Sequence, residues 1–261
     1  MIETRKLEKR FGALTAVHGV SFRADDGRIT GLLGPNGAGK STTLRILATV
    51  LRPSGGAALI DGTSVTADPL ETRRRIGVLP HAAGIYPRLS ARENIAYFGA
   101  LHGLRREDCA RRTEELVRLL EMSEFADRAA HGYSQGERLK TALARAIVHG
   151  PRNVLLDEPT NGLDVRAVRN LRALLCRLRD TGHCVLFSSH IMQEVAALCD
   201  DIVVIAHGTV TAAGTPDEIR ARAGSSDLEE AFVRLTGGDS DGGAERAGSG
   251  DRAGGTSGSE R

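Results

Sequence analysis

The stretch GPNGAGKST, residues 34–42, constrains the fold of this chain more than any other part of its sequence. It follows RITGLLG, an apolar run typical of a buried strand, and it precedes KSTTLRILATVL, whose apolar spacing predicts a helix. Glycines in such a turn let backbone N–H groups wrap an anion without clashes from Cβ atoms. A glycine-rich turn between a strand and a helix, ending in Lys-Ser, is the pattern of a phosphate-binding loop.

This pattern predicts a site for a nucleoside triphosphate and its metal ion. Lys40 would place a positive charge near the β- and γ-phosphates, and Ser41 would offer a hydroxyl to Mg²⁺. A chance turn rich in glycine would need neither the strand before it nor the helix after it. The residues that we expect to bind the nucleoside triphosphate in this loop are Gly34, Pro35, Asn36, Gly37, Ala38, Gly39, Lys40, Ser41 and Thr42.

A second apolar run, NVLLDEPT at residues 153–160, contains two carboxylates. Parallel sheets bind ligands at the carboxyl ends of their strands, so Asp157 is predicted to hold Mg²⁺, through water, together with Ser41. Glu158 is predicted to be catalytic, as the general base or as the group that positions the attacking water. Because consecutive strand residues point to opposite sides, the chain must bend after Asp157 to turn Glu158 toward the same site. An acidic turn alone is common, but beside a phosphate-binding loop it indicates a P-loop NTPase.

The rest of the chain alternates strand and helix patterns, which is typical of an α/β protein with a mostly parallel sheet. From Pro87 to His149 the pattern is almost all helical, and it predicts an inserted helical subdomain at about residues 87–150. After Leu235 the sequence is Gly, Ser and charged residues, with no large apolar side chain. Residues 237–261 are therefore predicted to be a disordered Gly/Ser-rich tail.

Composition limits the partners that we expect. The net charge of +2 gives no reason to expect binding to nucleic acid. No apolar run approaches the ~20 residues that are needed to span a bilayer. Any association of this chain with a membrane is therefore expected to be peripheral.

A second helix start, in GYSQGERLKTALARA at residues 132–146, is also suited to an anion. The apolar spacing predicts a helix from Glu137, and a Ser, a Gln and a Gly stand just before it. Free backbone N–H groups beside a hydroxyl at a helix start attract anions. Since the phosphate-binding loop lies far earlier in the chain, the sequence raises the question of which anion this second helix serves.

Four short motifs, in order, resemble those of the ATP-binding cassette (ABC) ATPases. YSQGE, residues 133–137, resembles the signature sequence of that family, and NGLD, which ends at Asp164, resembles its D-loop. SSH, which ends at His190, resembles its switch-histidine loop, and RFG places Phe11 where the family stacks an aromatic ring on adenine. Taken singly, Phe11 would be a packing residue, His190 a hydrogen-bonded histidine at a strand end, and NGLD a turn. Only their joint order, over residues 2–236, is specific.

The resemblance implies an ABC ATPase domain in residues 1–236. Its fold would be a P-loop NTPase core with a mostly parallel sheet, an N-terminal antiparallel β part and the helical insertion. It would bind ATP and Mg²⁺, with Glu158 and His190 as catalytic residues. It would work as a dimer with a second copy of itself or with a homologous cassette.

The same resemblance answers the question of the second helix. In such dimers the signature helix of one chain points at the γ-phosphate of the ATP that the other chain holds. A helix start carries about half a positive charge, which suits that contact. The residues that would face the partner's ATP are Ser134, Gln135, Gly136 and Glu137, with Asp164 in the neighbouring D-loop.

Two further segments, GIYPRLSARENI and LEEAFVRLTG, resemble a particular branch of the family. They are similar to ATPase subunits of bacterial exporters of the sodium-extrusion and drug-resistance type, whose membrane-spanning permease subunits are separate proteins. This implies an ATPase at the cytoplasmic face of the cell membrane, with no transmembrane segment of its own. The alternative is a soluble ABC ATPase of the DNA-repair or translation type, which usually carries a long coiled-coil insertion or two cassettes. A P-loop kinase is a more distant alternative, since it would need an acceptor site.

The sequence departs from the family pattern at two places. Gln135 and Glu137 stand where the commonest signature has Gly and Gln, and they add bulk and negative charge near the expected triphosphate. His81 stands where the family usually has a Gln that contacts Mg²⁺ or water and couples the ATP site to the membrane subunit. His81 would either take over this coupling, and make it sensitive to pH, or simply be tolerated at the start of a loop.

Overall fold

The computed structural model describes residues 1–82 and 84–237. The strands are β1 (Ile2–Phe11), β2 (Leu14–Ala24), β3 (Ile29–Leu33), β4 (Gly55–Ile60), β5 (Thr63–Ser64), β6 (Ile76–Leu79), β7 (Asn153–Asp157), β8 (Cys184–Ser189), β9 (Asp201–Ala206) and β10 (Thr209–Gly214). The helices are α1 (Lys40–Leu47), α2 (Pro69–Arg75), α3 (Ala91–Leu101), α4 (Arg106–Leu119), α5 (Gln135–Ile147), α6 (Val165–Asp180), α7 (Met192–Leu198), α8 (Pro216–Ala223) and α9 (Leu228–Thr236).

Within the described residues the strands form two sheets. The larger sheet has the order β10-β9-β3-β8-β7-β6, and its strands run parallel except for the hairpin that joins β9 to β10. The smaller sheet, β2-β1-β4-β5, is antiparallel and is built mainly from the N-terminal part of the chain. The predicted α/β fold, with a mostly parallel sheet and an N-terminal antiparallel part, is confirmed.

The larger sheet is buried on both faces, which explains why its central strands are continuous apolar runs. Along β7 the side chains alternate between two apolar clusters. Val154 and Leu156 pack with the helices of the insertion and with α6, whereas Leu155 packs with α1 and the smaller sheet. The parallel strands therefore end at an edge that lies between these two layers, and the loops at that edge carry the predicted site residues.

Helices α3, α4 and α5 occupy the segment that we predict to be a helical subdomain. Ser90 begins α3 with a capping box, in which its side chain accepts a hydrogen bond from Glu93 N and the Glu93 side chain accepts one from Ser90 N. The tail predicted at residues 237–261 lies outside the described residues, apart from Gly237. No helix in the described ranges has both the length and the apolar character that crossing a bilayer demands.

Two local predictions are wrong. The stretch RRIGVLP, residues 74–80, predicts a strand from Arg74. The strand begins only at Ile76, because Asp68 and Pro69 start the helix α2, which that pattern does not predict. The helix expected from Glu137 begins instead at Gln135. Its start lies earlier because Ser134 is the N-cap, which places Gln135 and Gly136 in the first turn of the helix.

Candidate functional site

The phosphate-binding loop connects β3 to α1, as the sequence predicts. Gly39 has φ 104°, a left-handed conformation that favours glycine, and a Cβ atom there would lie 2.6 Å from the carbonyl oxygen of Ala16. A Cβ atom on Gly34 would collide with the carbonyl oxygen of Ile205. These two glycines are therefore required by the way the loop packs on its neighbours.

Lys40 is the buried cation of the loop, with only 4% of the residue exposed. Its Nζ donates hydrogen bonds to the carbonyl oxygens of Gly34, at 2.8 Å, and Pro35, at 3.1 Å. Burial lowers the pKa of Lys40 below its ordinary value, and the carboxylates of Glu158 and Asp157 oppose this shift. A phosphate in the loop would also favour the charged ammonium group, because a nearby opposite charge stabilises it.

Asp157 ends β7 and lies beside Ser41, its predicted partner. The Asp157 Oδ1 atom accepts hydrogen bonds from Ser41 Oγ, at 2.9 Å, and from Ser188 Oγ, at 2.7 Å. Ser188 reaches this position because β7 and β8 are parallel with Asp157 paired to Ser188. Carboxylate and hydroxyl oxygens are ligands that suit Mg²⁺, which usually keeps several waters and binds few protein groups. Ser41 and Asp157 therefore fit the metal site that the sequence predicts.

Glu158 makes the bend that the sequence analysis requires. Its φ of 49° turns the chain out of the strand, and its backbone N–H donates to Ser188 Oγ at 3.0 Å. The side chain, 14% exposed, turns back to the same edge of the sheet. Its Oε1 lies 3.3 Å from His190 Nδ1 and 3.8 Å from Lys40 Nζ.

His81 lies beside the second carboxylate oxygen of Glu158. Its Nδ1 lies 3.6 Å from Glu158 Oε2. The proximity follows from the parallel register of β6 and β7, in which Leu79 pairs with Leu156 two residues before each side chain. Because half of the His81 side chain remains exposed, it can contact both the Glu158 carboxylate and groups outside the chain. The arrangement surrounds one carboxylate with two imidazoles and an ammonium group.

The predicted signature residues lie at the start of α5, where Ser134 is the N-cap. Its Oγ accepts a hydrogen bond from Glu137 N at 3.2 Å, while Glu137 Oε2 accepts one from Ser134 N at 2.8 Å. Glu137 also forms an ion pair with Arg128 at 2.6 Å. Its negative charge is thus balanced within the chain, which reduces the electrostatic conflict with a phosphate that the sequence raises.

The other signature residues link this helix start to the D-loop. Gln135 Nε2 donates to the carbonyl oxygen of Asn161 at 3.1 Å, so its bulk is turned toward the chain's own turn after β7. Asp164 is the N-cap of α6 and accepts from Ala167 N at 2.7 Å. Ser134, Gln135 and Asp164 are all exposed. The structure therefore presents two capped helix starts side by side on an open surface.

Phe11 lies at the end of β1, with 46% of the residue exposed. Lys9 Nζ stands 5.1 Å from the centre of its ring. An exposed ring can stack on a base, and the predicted role of Phe11 in binding adenine stays a prediction.

Two functional candidates, Ser188 and Glu194, are not among the site residues predicted from the sequence. Ser188 bonds both Asp157 and the backbone of Glu158, whereas the sequence indicates it only as part of the SSH motif. Glu194, on α7, is buried and contacts Thr160 and Ser189. The signal for Ser188 was available, because it stands at the carboxyl end of a buried strand. Glu194 carried no such signal, since a glutamate in a helix is ordinarily exposed.

Comparison with known proteins gives consistent matches. The family model described as "ABC transporter" matches residues 17–161. Over 231 residues the chain is 39% identical to the ABC transporter ATP-binding protein NatA of Bacillus subtilis, covering 88% of this chain and 94% of that protein. It is 40% identical to the daunorubicin/doxorubicin resistance ATP-binding protein DrrA of Streptomyces peucetius, covering 87% of this chain and 69% of that protein.

Solved structures agree with these matches. The ATP binding subunit of an ABC transporter superposes with a TM-score of 0.82 at 29% identity, covering 90% of this chain and 99% of that one. The dimeric structure of MJ0796, a bacterial ABC transporter cassette, superposes with a TM-score of 0.74 at 26% identity, covering 82% of this chain and 98% of that one.

Proposed function

The chain belongs to the ABC transporter family as an ATP-binding, ATP-hydrolysing subunit, and on this premise we propose that it drives export through separate membrane-spanning subunits. One observation supports the role of this site in ATP hydrolysis. The side chains of Lys40, His190 and His81 all lie beside the carboxylate of Glu158. These groups come from four separate segments of the chain. A carboxylate held at the edge of the sheet, beside a buried lysine, is suited to orient water against a bound triphosphate.

We assign the following roles within this site. The phosphate-binding loop and Lys40 hold the phosphates, and Ser41 and Asp157 would hold Mg²⁺. Bound Mg²⁺ would neutralise charge on the phosphate oxygens. Glu158 positions the water or accepts its proton, and His190 fixes the orientation of that carboxylate through its Nδ1 contact.

ABC cassettes work as dimers with membrane permease subunits, and the exposed signature residues support this arrangement for the present chain. Ser134 and Gly136 would contact the γ-phosphate of the ATP bound to the second cassette. Glu137 would not oppose this contact strongly, because its charge is balanced by Arg128. ATP then joins the two cassettes, and its hydrolysis releases them.

Export is the direction that the relatives favour. One relative is named for daunorubicin/doxorubicin resistance, and others are named as Nod factor export ATP-binding proteins. We propose that the chain works at the cytoplasmic face of the cell membrane, bound to permease subunits. The soluble alternative, in DNA repair or translation, usually needs a long coiled-coil insertion. The longest helix between β6 and β7, α4, has only 14 residues.

Co-expression with a candidate permease, encoded near this chain, tests the proposal. The two proteins should purify together from membranes, and ATP should drive transport into inside-out vesicles that contain both. Glu158→Gln in the same vesicles should stop transport while the complex stays assembled. A chain that hydrolyses ATP but copurifies only with nucleic acid or ribosomes would overturn the exporter assignment and favour the soluble class.

A further inference from the structure

Glu194 is a buried carboxylate in the first turn of α7, just after the loop that carries His190. Only 7% of the residue is exposed. Its Oε2 accepts hydrogen bonds from Thr160 Oγ1, at 2.6 Å, and from Ser189 Oγ, at 3.1 Å. Both donors lie outside α7, so the carboxylate joins this helix to two other segments of the chain.

Each of the two donors is close to a residue of the proposed site. Thr160 lies two positions after Glu158, in the turn that leads to the D-loop. Ser189 directly precedes His190, and its Oγ also accepts a hydrogen bond from Ile191 N at 3.0 Å. Glu194 thus ties together the segments whose side chains meet at 3.3 Å between His190 Nδ1 and Glu158 Oε1.

The electrostatic setting of Glu194 makes these two bonds important. In the described part of the chain no Lys, Arg or His side chain forms an ion pair with it. Taking a carboxylate out of water without a cation is costly unless hydrogen bonds satisfy it. The two hydroxyl groups, together with the positive end of the α7 dipole, are the groups that stabilise it. Removing the carboxylate would therefore break its hydrogen bonds to both the Thr160 segment and the Ser189 segment.

Capping of α7 does not account for this arrangement. A capping glutamate at this position would accept from a backbone N–H at the helix start, as Glu137 does in α5. In α7 that role belongs to Ser189 Oγ, which accepts from Ile191 N. Glu194 is directed instead to the two side-chain hydroxyls.

We propose that Glu194 is a positioning residue for ATP hydrolysis, which holds the Glu158 segment and the His190 segment in register through Thr160 and Ser189. The proposal rests on the proposed catalytic roles of Glu158 and His190. Glu194 itself touches neither of these side chains. Its effect is expected on the turnover of bound ATP and not on the binding of ATP.

The test measures ATP hydrolysis by the full-length chain, with kcat and KM determined separately, well below the unfolding temperature of each variant. Glu194→Ala should lower kcat by about 10- to 100-fold, because misplacement of catalytic groups by about 1 Å costs on that order. KM for ATP should stay within about 3-fold of the wild-type value, on the same reasoning. The matched control is Gln193→Ala, an exposed neighbour on the same helix, which should hydrolyse ATP at the wild-type rate.

A second set of variants keeps the test valid if Glu194→Ala folds poorly. Thr160→Val has nearly the same shape but lacks the hydroxyl, and it should lower kcat; Thr160→Ser restores the hydroxyl and should recover most of that loss. Since Thr160 acts through Glu194, Thr160→Val should cause little further loss when combined with Glu194→Ala. This dependence would not arise if each residue contributed only to stability.

The outcomes separate the two proposals. An unchanged kcat in both Glu194→Ala and Thr160→Val, in a chain that hydrolyses ATP normally, overturns the positioning role and leaves the ATPase assignment intact. A lowered unfolding temperature with unchanged kcat also overturns it, because the role would then be structural. Additive losses from Thr160→Val and Glu194→Ala would show that the two residues act independently, which contradicts the proposal. If wild-type chain and Gln193→Ala both fail to hydrolyse ATP, alone and with the permease, the catalytic assignment fails first.

Discussion

The starts of α1 and α5 are both suited to an anion, but their surroundings are opposite. At α1, Lys40 is buried and the carboxylates of Asp157 and Glu158 lie within its own chain's site. At α5, Ser134 and Gln135 are exposed, and among the described residues neither side chain forms a hydrogen bond with Asp157 or Glu158. One helix start collects nearly all of the chemistry, whereas the other presents a cap and little else.

This difference is expected if each chain contributes its phosphate-binding loop to one ATP site and its α5 start to a second ATP site. A phosphate loop works only with its metal ligands and its water-positioning carboxylate nearby, so these groups must fold together. A helix start that receives an anion from another molecule must remain open. Its own side chains then keep its polar groups satisfied until the partner arrives, as the capping box of Ser134 and Glu137 does.

The largest expected effect concerns the start of α1, beside which the carboxylate of Glu158 lies. Glu158→Gln should lower hydrolysis by about 10²- to 10⁴-fold, because the carboxylate that orients water or accepts its proton is lost. ATP binding should persist, since Lys40 and the loop are unchanged. Filtration of the protein with labelled ATP should show retained nucleotide, and size-exclusion chromatography should show a trapped dimer. Hydrolysis at a near wild-type rate would remove Glu158 from its proposed role.

A smaller loss should follow from Lys40→Ala. Hydrogen bonds to charged groups contribute about 1.5–3 kcal/mol each, so ATP affinity or turnover should fall by roughly 10- to 100-fold. Titration with a fluorescent ATP analogue measures the binding part. The control is Lys140→Ala on α5, whose ammonium group bonds the Glu121 carbonyl and not the phosphate loop. Equal affinities for the two variants would contradict the assignment of the loop.

How much of this the sequence predicts depends on how local each feature is. The phosphate loop and the pair Asp157 and Glu158 lie in short contiguous motifs, so residue types and spacing are sufficient to single them out as candidates. The contact between His81 and Glu158 depends on β6 lying beside β7, and strand order is not written in either motif. Ser188 becomes part of the site through the register of β8 with β7. Glu194 could not be predicted, because its burial depends on how α7 packs.

The proposed contact of the α5 start with the partner's ATP can be tested by mixing variants within one dimer. Take a heterodimer, isolated with two different affinity tags, of one Lys40→Ala chain and one Ser134→Arg chain. If the α5 start serves the partner's ATP, one site carries both defects and the other is intact. If it serves its own chain, each site carries one defect. Occluded ATP, measured in a Glu158→Gln background, should then be about one per dimer in the first case and near none in the second.

The reciprocal heterodimer is the control for this experiment. Here one chain carries both Lys40→Ala and Ser134→Arg, and its partner has neither change. Contact in trans places one defect in each site and predicts almost no occluded ATP, whereas contact in cis leaves one intact site. The reverse of both patterns would return the α5 start to its own chain, and its exposure would then need another explanation.

The smallest expected effect concerns His81, whose half-exposed side chain lies beside Glu158. If it couples the ATP site to the permease, His81→Ala should reduce permease-stimulated hydrolysis by about 5-fold, the lower end of typical coupling between sites, and basal hydrolysis by less. His81→Gln restores a hydrogen-bonding group, so it should retain most of the stimulation. Both rates are measured on the same reconstituted complex. Equal losses of basal and stimulated rates in His81→Ala would instead make His81 part of the catalytic group around Glu158, 3.6 Å away, with no separate role in coupling.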